Sequence, residues 1–178
     1  MSKPIKKQRV VNNFTRLVIC EGISDKKLME KIKSIFLDRK GNLKVQIDEA
    51  GGGGPKGALN RAINFQGDFD EKYLFIDSDI PLTEEVLKVA KRRDIEIIQS
   101  VPVCLEGMLL KIKGFPKQIN DAEQAKQEMQ KTFGLQLVVT ESWYNDHITR
   151  EVCESIIADE KHCAREVIAK LVSICIRG

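Results

Sequence analysis

The chain has 178 residues, 42% hydrophobic and 31% charged, the balance of a globular protein with a real core. Its apolar runs are far too short to cross a bilayer and the basic stretch 1–9 has no apolar signal segment behind it, so no membrane association is expected and the cytoplasm is the expected compartment. A net charge of +3 does not by itself establish nucleic-acid binding, five scattered cysteines without a CxxC pair argue against a zinc knuckle or disulfide framework, and two histidines nearly exclude chemistry resting on several imidazoles.

Residues 1–13 carry Lys3, Lys6, Lys7 and Arg9 and read as a flexible basic arm. Leu17-Val18-Ile19-Cys20 is continuously apolar, as a strand buried on both faces should be. It ends at Glu21-Gly22, and Ser24 or Asp25 is suited to cap the next helix, in which Leu28, Ile32, Ile35 and Phe36 share a face. Gly41-Asn42 is a turn, after which Leu43, Val45 and Ile47 alternate as a second strand. The glycine-rich run from Gly51 to Gly57 breaks the chain before a helix carrying Leu59, Ala62 and Ile63. Tyr73-Leu74-Phe75-Ile76 is a third buried strand, ending at Asp77-Ser78-Asp79. Pro81 and a capping Thr83 open a third helix with Val86, Leu87 and Ala90 on its apolar side. Ile95, Ile97 and Ile98 form a fourth strand, Ser100-Val101-Pro102 follow, and 106–113 reads as a short apolar helix. Lys91, Arg92 and Arg93 make a second basic cluster.

This alternation predicts an α/β fold: a Rossmann-like, mainly parallel four-stranded sheet flanked by helices. Past Gly114 the rhythm changes. Residues 121–133 look helical, 135–140 suggest an edge strand, and 148–176 are mostly helical. The expected organisation is an arm over 1–13, an α/β domain over 14–114 and a mostly helical C-terminal extension over 115–178. Val167, Ile168, Leu171, Val172 and Ile174 form a stripe that faces either the core or a second copy in a homodimer. Trp143-Tyr144 with His147 suits either packing or stacking on a base. His162 and Cys163 lack partners at metal-ligand spacing.

In an open parallel sheet, ligands bind outside the carboxyl ends of the strands. Glu21 ends the first strand and Asp77 and Asp79 end the third. The fourth leads through Ser100 to Glu106, and Asp25 lies one helical turn beyond Glu21. Singly, each acid has a structural alternative: a helix cap, an Asp turn or a surface ion pair. Together they would repel, and the relief is protonation or a bound cation. Magnesium needs only a few hard oxygen ligands, and it orients phosphate and acidifies an attacking water. The backbone of Gly53 and Gly54, with Lys56 and Arg61, is placed to meet substrate phosphates. The loop is neither a Walker A sequence nor a dinucleotide fingerprint.

Glu21-Gly22-Ile23-Ser24-Asp25 and Asp77-Ser78-Asp79 together resemble the two motifs of the Toprim superfamily, which includes topoisomerases, bacterial primases and nucleases of the overcoming-lysogenization-defect kind. The first motif looks most like the nuclease branch. The segment 100–110, with Pro102, Cys104, Glu106, Leu109 and Leu110, is similar to a stretch of RloB-like proteins, a small Toprim-related family of bacterial defence islands. The resemblance covers roughly residues 15–112. It implies a Toprim-like fold and metal-dependent phosphodiester cleavage of nucleic acid (DNA or RNA), in phage defence. It makes Glu21 a metal ligand or general base, and Asp77 and Asp79 ligands of Mg2+ or Mn2+. Asp25 becomes a ligand or supporting carboxylate, and Glu106 a further acid. The chain departs from the pattern at Leu105 and Met108, where aromatics are usual. The alternative is a Toprim-like module that binds nucleic acid or a partner protein such as an ATPase without cleavage. A phospho-acceptor receiver domain fails for lack of two adjacent acids after the first strand and of a lysine after a fifth.

Overall fold

The computed structural model describes residues 13–134 and 140–177. Its elements follow in the order β1 (Phe14–Cys20), α1 (Ile23–Phe36), β2 (Leu43–Glu49), α2 (Gly54–Asn64), β3 (Glu71–Asp77), α3 (Glu84–Arg92), β4 (Ile95–Ser100) and α4 (Leu105–Ile112). Four further helices complete it: α5 (Ala122–Phe133), α6 (Glu141–His147), α7 (Arg150–Ala158) and α8 (Arg165–Ile174). The strands form one sheet in the order β2-β1-β3-β4, and every pairing is parallel.

The hydrophobic pattern of each strand explains its place. β1 and β3 are apolar at consecutive positions and lie in the middle, where both faces need cover. Leu17, Ile19, Leu74 and Ile76 pack against α2 and α3, while Val18, Cys20, Tyr73 and Phe75 face the opposite layer. β2 alternates, and it is an edge strand: Leu43, Val45 and Ile47 are buried whereas Lys44 and Gln46 are exposed. A strand with one wet face must alternate; a central strand need not.

The layer facing Val18 and Cys20 contains α1 and α4 together with residues of all four later helices. The stripe Val167, Ile168, Leu171, Val172 and Ile174 is buried there, so it is core and not a face for a second copy. Arg16 ties this layer to the sheet. Its Nε donates to Glu71 at 2.7 Å, and its Nη1 donates to the carbonyls of Ser173, Ile174 and Ile176 at the end of α8.

Helix α1 starts differently from expectation. Gly22 is its N-cap, and Asp25 reaches back from the third helical position to accept the Gly22 N–H at 3.1 Å. Thr83 caps α3 as expected, accepting from Val86 N, but Leu87 is 47% exposed and not part of its buried side. The basic arm (all but residue 13) and the edge strand expected over 135–140 fall outside the described residues, apart from Thr140, which caps α6. Among the described residues no helix is long and apolar enough to cross a membrane.

Candidate metal and phosphate site

The strand order reverses between β1 and β3, because the chain leaves β1 for β2 on one side and then crosses to β3 on the other. Such a switch point opens a crevice at the carboxyl ends of the two strands. Glu21 and Asp77 lie on it side by side. Glu21 N donates to Phe75 O at 2.9 Å, and Asp77 N donates to Glu21 Oε2 at 3.1 Å. Asp77 is oriented from the next strand over: its Oδ1 accepts the Ser100 hydroxyl at 2.7 Å and the Leu105 N–H at 2.8 Å. The latter is an orphan donor of the first turn of α4, where a carboxylate is favoured by the helix dipole.

Asp25 completes the crevice from α1. Its Oδ2 accepts Gly22 N, but its Oδ1 is buried without a hydrogen-bond partner among the described residues, and the residue is only 6% exposed. A buried carboxylate oxygen left bare is costly. Burial raises the Asp25 carboxyl well above the usual range, and the charges of Asp77, Glu21 and Glu106 add to the rise. The Asp77 carboxyl is also raised, first by burial; the bonds from Ser100 and Leu105 oppose the shift, and the charges of Glu106 and Glu21 reinforce it. Glu21, Asp25, Asp77 and Glu106 are therefore one electrostatic group. Asp79 is exposed on the loop beyond β3. Among the described residues no three His, Cys, Asp or Glu side chains already converge at the spacing of a metal cage.

The segment 100–107 holds its shape by close backbone contacts. Val103 has a φ of 68°, a conformation that β-branched residues rarely adopt. Cys104 N donates to Pro102 O at 2.8 Å across it, and Val103 O accepts Ser78 N at 2.9 Å. Gly107 passes so close to Pro102 O that an added Cβ would lie 2.3 Å away. The Cys104 thiol is pushed up to about 12, chiefly by burial, so it stays protonated beside Glu106.

The glycine loop lies one strand away. Gly53 caps α2 with a φ of 86°, and a Cβ on Gly57 would sit 2.5 Å from Gly52 O. Gly53, Gly54, Pro55 and Lys56 form one wall of a groove of about 310 Å³, whose other wall is Ile80, Pro81, Thr83 and Val86, just past Asp77-Ser78-Asp79. Lys56 is exposed and meets the exposed Glu85 at 3.7 Å. Arg61 is engaged: Asp48 binds its guanidinium, which also lies over Phe65 at 5.3 Å. Of the four residues expected at phosphate, Gly53, Gly54 and Lys56 border the groove, and Arg61, paired with Asp48, is not among its lining residues.

The remaining candidates resolve into structure. Trp143 is 2% exposed and stacks on His147 with centroids 4.4 Å apart, so it packs the core and stacks on no base. His162 engages both ring nitrogens, with Lys111 O and Ala164 N. Lys91, Arg92 and Arg93 end α3 next to the start of β4, at the opposite end of the sheet from Asp77. Sequence reasoning missed the role of Ser100, whose only signal was its place at a strand end. It also missed Tyr144, whose hydroxyl donates to Ser24 O at 3.0 Å and which lies within the field of Asp25 and Glu106.

No family model, curated protein or solved structure matches the chain. The Toprim resemblance rests on the residues that carry it.

Proposed function

We propose that this chain is a magnesium- or manganese-dependent phosphodiesterase acting on nucleic acid in the cytoplasm, of the Toprim nuclease kind. The observation that carries the reading is the bare, buried Oδ1 of Asp25 in a crevice shared with Glu21, Asp77 and Glu106. Acids so placed favour either a proton or a cation between them. The donors are all hard carboxylate oxygens, which fit magnesium or manganese. Asp25 and Asp77 would hold the ion, with Glu21 and Glu106 as the nearest further carboxylates. When bound, such an ion neutralises the phosphate and acidifies an attacking water. Glu21, whose Oε2 is tied to Asp77 N, keeps its other oxygen to take the water's proton. The N–H groups at the start of α2 and the Lys56 ammonium bind the flanking phosphate.

The alternative is a module that binds nucleic acid or a partner protein without cleavage. Two measurements separate the readings. Manganese at a hundred times its Kd should stabilise the fold by about 2.7 kcal/mol, raising Tm by roughly 5–10 °C. Cleavage is then assayed on single- and double-stranded DNA and RNA with either metal. Asp77→Ala and Glu21→Gln should lower the rate by at least about a hundredfold. An unchanged melt with manganese overturns the metal reading; confirmed binding without cleavage of any substrate leaves the binding module.

A further inference from the structure

We propose that Ser100 is a positioning residue that restricts Asp77 to a single ligating oxygen, and so tunes the site to a small six-coordinate cation over calcium. The inference rests on the metal-site reading above and concerns how the three nearest carboxylates are presented. Each has one oxygen already committed to a protein donor. Glu21 Oε2 takes Asp77 N at 3.1 Å, and Asp25 Oδ2 takes Gly22 N at 3.1 Å. Asp77 Oδ1 takes both Ser100 Oγ at 2.7 Å and Leu105 N at 2.8 Å. What remains to each is the opposite oxygen, and that of Asp25 is buried and bare.

Such a set offers single oxygens where a calcium site commonly uses a two-oxygen carboxylate. Calcium takes six to eight oxygens at flexible distances, whereas magnesium takes six in near-octahedral array and keeps several waters. Among these four hydrogen bonds, Asp77, Gly22 and Leu105 donate through backbone N–H groups, and Ser100 is the one side-chain donor. It is fully buried, and its hydroxyl is bonded to Asp77 Oδ1. Its own carbonyl is fixed in turn by the Ser78 hydroxyl at 2.8 Å. Removing the Ser100 hydroxyl leaves Leu105 N as the only donor to Oδ1, and the carboxylate gains freedom to turn both oxygens toward an ion.

The test reads metal binding directly, by the paramagnetic resonance of free manganese, with calcium as competitor. Ser100→Ala should weaken manganese by about tenfold, the usual effect of removing a hydrogen bond to a metal-ligating side chain, and should shrink the preference for manganese over calcium. Ser78→Ala, which disturbs the same segment but leaves Oδ1 with both donors, should keep wild-type affinity and preference. Ser100→Cys fills the space with a poor donor and should behave as the alanine variant does, which guards against a packing defect. If wild type binds manganese and both Ser100 variants match it in affinity and preference, the proposal is overturned while the metal reading survives. If wild type binds none, both fall together.

Discussion

At the residue scale, the crevice holds charge that the fold alone does not compensate. The Asp25 carboxyl is raised, chiefly by burial. Its folded pKa thus exceeds its unfolded value of about 3.9. Such a group favours the folded state below the unfolded value, and that benefit is lost as pH rises through the folded value. In chelator, Asp25→Asn should therefore raise stability near neutrality, on the order of 1 kcal/mol or roughly 2–4 °C in Tm. The asparagine oxygen still accepts Gly22 N. Melts in a pH series should show the gain shrinking towards pH 4; a gain independent of pH would argue against a charge effect. Gly107 is a purely steric counterpart. With an added Cβ 2.3 Å from Pro102 O, Gly107→Ala should cost about 1–3 kcal/mol by overpacking, measured by urea unfolding, and wild-type stability would contradict the close approach.

At the element scale, much of the fold was legible. Consecutive apolar residues in β1 and β3 marked strands buried on both faces, alternation marked β2 as a strand, and acids at strand ends marked the crevice. What local pattern could not reveal depends on contacts across long stretches of chain. Ser100 meets Asp77 from a neighbouring strand, and Arg61 pairs with Asp48 of β2. Asp79, equal to Asp77 in the sequence pattern, is exposed on the loop beyond β3 where Asp77 is half-buried. Arg16 is the clearest case, since its side chain joins β1 to β3 and to the end of α8, 157 to 160 residues away. Arg16→Ala should lower stability by about 2 kcal/mol, in line with hydrogen bonds to a charged group. Lysine should recover only part, lacking the planar fork. Glu71 is held below the usual carboxylate range, first by the Tyr73 hydroxyl and then by Arg16. Its contribution is present above its unfolded pKa and is lost as pH falls through the lower folded value. The Arg16→Ala deficit should accordingly narrow in strong acid, and melts of both proteins from pH 7 down to about 3 would register it.

At the scale of the whole molecule, the change of rhythm near Gly114 is a change of architecture within one packed layer. Leu28, Met29 and Ile32 of α1 share a buried cluster with Met129, Trp143 and Leu171. Tyr144 reaches from α6 to Ser24 at the first turn of α1, the turn that also carries Asp25. The helices after 114 thus cover the face of the sheet on which the acidic crevice depends. A chain ending at 114 would leave the apolar side of α1 in water, and it should fail to unfold cooperatively in urea while binding a hydrophobic dye. In the full chain Trp143 is the single tryptophan and lies in the later helices, whereas far-UV circular dichroism reports every helix. One cooperative unit requires the two signals to share a midpoint. Manganese should move that shared midpoint as one, because an ion held by Asp25 stabilises the helix on which the later layer packs. Separate midpoints, or a manganese shift confined to one signal, would show that the C-terminal helices fold apart from the site.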